Sequence, residues 1–150
     1  MIHPTLQITE ELYIHAAREA VWARFCRLGD WPRWMPGVSQ ATWVTGDHWQ
    51  EGARFTVQQQ HSGIQETVHY VIRMAVPADT GVWERLEGGA PIVYSIHVAD
   101  QVGGCKVRLR CTWHGWGTLL RRLNRAYEAE RLRAILAGLK EAIERDGPRR

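Results

Sequence analysis

The sequence predicts an α+β domain in which a curved antiparallel sheet of seven strands grips one long C-terminal helix, with two short helices after strand 1. Three observations predict it. From Val38 to His114 the text alternates apolar and polar residues in runs separated by Gly, Pro, Asp and Ser, the period of strands with one buried face. From Thr118 to Arg145 there is no Pro and no Gly except Gly138, and at about 1.5 Å per residue such a helix spans about 40 Å, longer than a small domain is wide unless a sheet wraps it. Eight tryptophans in 150 residues call for either an aromatic-lined cavity or a thick core, since a buried indole also needs a partner for its N–H.

The elements follow in order. Leu6, Ile8, Leu12, Ile14 and Ala16 alternate with polar residues and make the first strand. Ala17 to Leu28 changes to a spacing of three and four (Ala20, Val21, Arg24, Phe25, Leu28), and Gly29 stops that helix. Asp30-Trp31-Pro32 starts a second short helical turn with Pro32 near its first position, ended by Pro36-Gly37. The strand runs are Val38 to Val44, Arg54 to Gln60, Ile64 to Val76, Val82 to Glu87, Ile92 to Ala99 and Lys106 to Trp113. Gly46-Asp47, His61-Ser62-Gly63, Pro77 to Gly81, Gly88-Gly89 and Val102-Gly103-Gly104 punctuate them, so the sheet reads as a meander. Thr118 caps the last helix. Winding it at 100° per residue puts Leu120, Leu123, Tyr127, Ala134, Ile135, Gly138 and Ala142 on one face, widened by Leu132, Leu136, Leu139 and Ile143.

Length and composition fit a single domain over residues 1–150. No run approaches the roughly 20 apolar residues of a membrane span, and Met1 to Glu11 lacks the basic start and apolar stretch of a secretory signal, so a cytoplasmic location is expected. Cys26, Cys105 and Cys111 have no metal-ligand spacing, and on one strand Cys105 and Cys111 stand on the order of 20 Å apart, so free thiols are expected. The net charge of +3 concentrates after Thr118, where nine Arg or Lys face five acids. Without a nucleic-acid reading element this is a solvated helix face, and no nucleic acid is expected as a partner. Gly-x-Ser-x-Gly, His-Glu-x-x-His and a phosphate loop are absent, which argues against covalent nucleophilic and metal catalysis. No metal or cofactor is expected, and the chain is expected as a monomer or homodimer.

Several strings resemble a known family. Ile14-His15-Ala16-Ala17-Arg18-Glu19-Ala20-Val21-Trp22 resembles the opening of the SRPBCC superfamily, where a strand ends at a small residue and a Val-Trp pair begins the helix. Asp30-Trp31-Pro32-Arg33-Trp34-Met35-Pro36-Gly37-Val38 resembles its second-helix signature, and Gly52-Ala53-Arg54-Phe55, His97 ahead of Gly103-Gly104, Gly115 and Gly138-Leu139-Lys140 extend the match. The resemblance is closest to the polyketide cyclase/dehydrase and lipid-transport branch. It implies the helix-grip fold of START domains and the birch-pollen allergen, with a cavity between sheet and helix. Members include binders, carriers and enzymes, so the resemblance does not choose a reaction.

The candidate site residues each carry two readings. His97 shares a strand face with Val93, Ser95 and Ala99; inward, it is a general base or a hydrogen-bond donor in the cavity, and outward it is surface. Arg131 falls among Tyr127, Ala134, Ile135 and Gly138, with Asn124 on the same stripe. A core-facing cation needs a partner, either a sheet acid such as Glu66 or Glu84 or a ligand carboxylate or phenolate gripped by its fork of donors. Trp22, Trp31 and Trp34 are expected in the core or at its rim. Trp83 and Trp113, with Phe55, Tyr70 and Tyr94, form either an aromatic cavity wall or packing against the helix.

The function expected is binding or transport of a hydrophobic or aromatic small molecule in that cavity. The alternative is a cyclase/dehydratase acting on a polyketide-like substrate, with His97 moving the proton and Arg131 or Tyr127 stabilising an enolate. A third reading is an interaction module built on the basic last helix.

Overall fold

The structure is a computed structural model that describes residues 5–61, 63–86, 91–115 and 125–146. Strand β1 (Thr5–Ile14) is followed by helix α1 (Arg18–Phe25), a 3-10 turn (Leu28–Asp30) and helix α2 (Trp31–Trp34). Then come β2 (Val38–Thr45), β3 (Arg54–His61), β4 (Ile64–Val76), β5 (Thr80–Arg85), β6 (Ile92–Gln101), β7 (Gly104–His114) and helix α3 (Arg125–Arg145). The strands form one seven-stranded sheet in the order β1-β7-β6-β5-β4-β3-β2, every neighbouring pair antiparallel. Strands β2 to β7 are therefore a meander, and β1 closes its far edge against β7. The intervening helices carry the chain from one edge to the other, and α3 lies against β1 and β7 with α1 and α2 beside it. This is the helix-grip fold.

Alternation decides which face each strand buries. In β6 the buried row is Ile92, Tyr94, Ile96 and Val98, and in β7 it is Cys105, Val107, Leu109, Cys111 and Trp113. Phe55 and Val57 of β3, Val68, Tyr70 and Ile72 of β4, and Trp83 of β5 point the same way. The core is densest where α1 and α2 meet β3 and β5. There Phe25 touches the rings of Trp31, Trp34, Trp49 and Trp83 at centroid distances of 5.2–6.3 Å, and Phe55 touches Trp31, Trp43, Trp49 and Tyr70. Much of the tryptophan excess is thus spent on filling. Trp43 and Trp49, for which the sequence suggests no place, are part of that cluster, whereas Trp116 lies outside the described residues.

Several local expectations are corrected. The first helix ends at Phe25, because Cys26 leaves it through a tight last turn and the chain re-enters as the 3-10 turn. Strand β5 starts at Thr80 rather than Val82, with the turn at Ala78 in the left-handed region (φ 59). On α3 the buried row is Glu128, Ala129, Leu132, Leu136, Leu139, Ala142 and Ile143, while Tyr127 is exposed. The leucines set the buried centre because each buries far more apolar area than alanine or glycine. Thr118, Leu120 and Leu123 fall outside the described residues.

Gly138 has its own reason. A Cβ there would collide with the backbone carbonyl oxygen of Trp34, so only glycine lets α3 cross α2 this closely. That crossing fixes the segment from Trp34 to Gly37 between α3 and the sheet. On the sheet side, the Gln60 N–H donates to the Gly37 carbonyl at 2.7 Å.

Candidate ligand-binding cleft

Between sheet and α3 lie two adjoining spaces. The inner chamber, about 30 Å³, is walled by Phe25, Trp31, Val57, Tyr70, Trp83, Tyr94 and Leu109, with Met35 and Ile135 across from them. The outer basin, about 220 Å³, is lined by Gln59, Glu66, Arg85, Ile92, Tyr94, Trp113, Glu128 and Arg131. Gln59, Tyr94 and Arg131 border both spaces. Arg131 and Met35 also reach surface grooves around the Pro36-Gly37 turn.

The chamber wall is a stacked set of rings. Phe55 stacks on Tyr70 at 5.2 Å and 27°, and Trp83 stacks on Tyr94 at 5.6 Å and 14°. Tyr70 meets Tyr94 edge-on at 6.0 Å. Burial pushes the Tyr70 phenol up to about 12 and the Tyr94 phenol well above its ordinary value. Both are neutral hydroxyls at any working pH. The Arg131 guanidinium lies beside the Tyr94 hydroxyl, and both residues border the two spaces. Burial works against the Arg131 charge, but Tyr94, Tyr70 and Glu128 outweigh it and raise the pKa above the ordinary arginine value. The guanidinium is permanently charged.

Around the basin the polar groups sit at the ends of inward-facing rows. Gln59 continues the row of Phe55 and Val57, Glu66 that of Val68 and Tyr70, and Arg85 that of Trp83. Gln59 and Glu66 face each other across β3 and β4, and the Gln59 amide donates to the Glu66 carboxylate at 3.0 Å. Arg85 lies 3.6 Å from Glu66 and Arg131 lies 3.9 Å from Glu128.

Of the residues singled out by sequence, Tyr70, Trp83, Tyr94 and Arg131 line the chamber, and Trp113 lines the basin. Phe55 is fully buried behind Tyr70 and supports the wall rather than lining it. His97 must be corrected. Its strand buries the more apolar row of Tyr94, Ile96 and Val98, which turns His97 to the opposite face. There Nδ1 faces the Thr80 hydroxyl at 3.2 Å and Asp79 at 4.0 Å, with the ring 42% exposed. It cannot reach a ligand in the cleft. Tyr127 is likewise corrected: it is 47% exposed and lines a surface groove. Asn124 lies outside the described residues. Arg131 has neither of the sheet acids considered for it, because Glu66 is engaged by Gln59 and Arg85, and Glu84 by Arg73 at 2.6 Å on the outer face.

Sequence reasoning missed Gln59, Arg85 and Glu128 as cleft residues. The strand parity of Gln59 and Arg85 was a usable signal. Glu128 carried none, since an acid beside Arg131 reads as an exposed helical pair. Among the described residues no histidine borders the cleft and no group of His, Cys, Asp and Glu could hold a metal ion. No described helix is long and apolar enough to cross a membrane.

The fold is shared with solved structures of low sequence identity. The aromatase/cyclase di-domain protein StfQ from the steffimycin biosynthetic pathway matches with a TM-score of 0.80 at 16% identity, over 96% of this chain and 53% of that one; this chain thus spans about half of StfQ. Norcoclaurine synthase from Thalictrum flavum, solved with dopamine and hydroxybenzaldehyde, matches at 0.76 and 14% identity over 98% of this chain and 91% of that one. The protein TTHA0849 from Thermus thermophilus matches at 0.80 and 18% identity over 95% of this chain and 100% of that one. No curated protein matches the sequence. The family model described as polyketide cyclase/dehydrase and lipid transport matches residues 5–144. With that match over nearly the whole chain, this protein belongs to the polyketide cyclase/dehydrase and lipid-transport family.

Proposed function

We propose that this protein binds a ring-bearing or otherwise apolar small molecule in the chamber between sheet and α3, with the polar end of the molecule at Arg131. One observation carries the reading: the stacked rings of Tyr70, Tyr94 and Trp83 converge on a space bordered by the Arg131 cation. Binding sites of this kind are mostly apolar, with a few placed polar groups that orient the occupant. The chamber is far below the roughly 300 Å³ at which ligand pockets usually begin, so an occupant must displace side chains. Met35 is the member of its wall best suited to move, since Met is unbranched and repacks readily. Native mass spectrometry of the protein as purified tests the reading. A released small molecule is expected, and its addition back should change the fluorescence of Trp31 and Trp83; protein that takes up no apolar compound would sink it.

A second reading is favoured by the neighbouring Tyr94 and Arg131 side chains at the chamber. A neutral phenol and a fixed guanidinium aimed at one point are the donors an enolate intermediate needs, and the likeness to StfQ and to norcoclaurine synthase supports looking for such chemistry. In this version a carboxylate of the basin, Glu128 or Glu66, replaces His97 as the proton carrier. Deuterium uptake next to a bound ligand's carbonyl would distinguish this enzyme from a binder.

A further inference from the structure

We infer that the outer basin is a recognition site for a carboxylate, so that the occupant is an aromatic or aryl-alkyl carboxylic acid with its ring in the chamber and its acid group between Arg85 and Arg131. The inference rests on the chamber reading above and adds the chemical class of the occupant.

Two ion pairs in the basin do not close. Elsewhere Arg73 and Glu84 meet at 2.6 Å and Arg108 and Glu11 at 2.9 Å on the outer face of the sheet, while the pairs Arg18–Asp100 and Arg27–Asp30 stand at 3.5 and 3.7 Å where solvent competes. In the basin the separations are 3.6 Å for Arg85 with Glu66 and 3.9 Å for Arg131 with Glu128, longer than the roughly 2.7–2.9 Å of a charged hydrogen bond. Burial should tighten such pairs, since attraction grows as water is excluded. Instead Glu66 is turned to Gln59, and the Nε–H of Arg85 is buried without an acceptor. A buried donor left unmade is costly; Arg24 Nε, away from the cleft, is in the same state, but Arg85 lines the basin, and a turn of its guanidinium toward that space brings the fork to the two oxygens of a planar carboxylate. Among the described residues no carboxylate oxygen of the basin is buried in the same unmade state, so the missing group is an acceptor, not a cation. Because Gln59, Tyr94 and Arg131 border both spaces, ring and acid belong to one molecule whose linker passes the Tyr94 hydroxyl.

The test compares 3-phenylpropanoate with 3-phenylpropanamide, equal in shape and different in charge, by isothermal titration. The acid is expected to bind at least about tenfold tighter, the factor one charged hydrogen bond provides. In Arg85→Gln the preference should fall by at least about threefold, the remainder resting on Arg131. The double variant Arg85→Gln/Glu66→Gln, which leaves neither charge unpaired, should show the same loss with wild-type thermal stability. Equal affinity for acid and amide in the wild type overturns the carboxylate site and leaves the chamber reading standing. An acid preference equal to that of the wild type in both variants also overturns it. If neither compound binds, both readings fall together.

Discussion

Arg131 of α3 lies beside the hydroxyl of Tyr94 of β6, so the gripped helix meets the sheet at the border of the aromatic chamber and the polar basin. The contact spans the cleft that a ligand must enter, so it doubles as a structural strut and a recognition group. The two roles separate experimentally. Arg131→Met keeps the apolar stem and removes the charge. It is expected to lower affinity for an aromatic acid about tenfold or more. Its stability should drop by about 3 kcal/mol, because the Glu128 carboxylate is buried and loses the cation beside it. Calorimetry and titration on the same sample check this, and lost stability with unchanged affinity would remove Arg131 from the binding role.

Met35 stands between the chamber and an outer groove. The backbone on either side of it is held by the Gly138–Trp34 approach and the Gln60–Gly37 hydrogen bond. Admission of a ligand therefore depends on the side chain and not on loop movement. Met35→Ala should speed ligand association severalfold in stopped-flow fluorescence, at a cost near 1 kcal/mol for the half-buried side chain. An unchanged association rate would place the way in elsewhere.

His97 faces away from the cleft. His97→Ala is expected to leave ligand affinity and any turnover within twofold of wild type, and stability within about 0.5 kcal/mol. A loss of activity of a hundredfold in this variant would restore His97 as a proton carrier and contradict the outward strand face.

Gly138→Ala gains about 1 kcal/mol in intrinsic helix propensity, yet its Cβ meets the carbonyl oxygen of Trp34. Backbone on both sides cannot rotate away, so the net effect should be destabilisation of about 2 kcal/mol in urea unfolding. A stabilised variant would mean that α3 and α2 do not cross this closely.

Alkaline pH supplies a further check. Burial raises Tyr70 and Cys26 each to about 12 and Tyr94 further still. The folded state then holds protons that the unfolded state releases. Stability contributed by these groups is intact below the unfolded values, about 8.5 for a thiol and 10 for a phenol, and declines as pH rises past them. Absorbance titration at alkaline pH should show Tyr70 and Tyr94 ionising only on unfolding. Ionisation of Tyr70 and Tyr94 near 10 in the folded protein would contradict the buried wall.

How much of this was legible in the sequence differs by element. The alternation from Val38 to His114 gave the strands and their order, because side chains that alternate in apolarity fold with one face inward. Arg131 stands out by its place on the helical stripe alone. His97 did not resolve, since both faces of its strand are mostly small or apolar, and only the sheet's curvature around α3 selects the row of Tyr94. Arg85 was hidden for another reason: the parity was readable, but one strand does not reveal which partner lies across the cleft.

The sequence by itself determined the helix-grip architecture, the aromatic wealth of the core and the family, since each depends on local periodicity or on strings that survive without contacts. Only the tertiary structure decided that Trp34, Trp49 and Phe55 fill rather than line, that Tyr127 is exposed and His97 faces away from the cleft, and that Arg85 and Arg131 line one basin. Those facts depend on where α3 rests across the sheet. The bulk of its leucines and the bare backbone of Gly138 set that position, and no single segment specifies it.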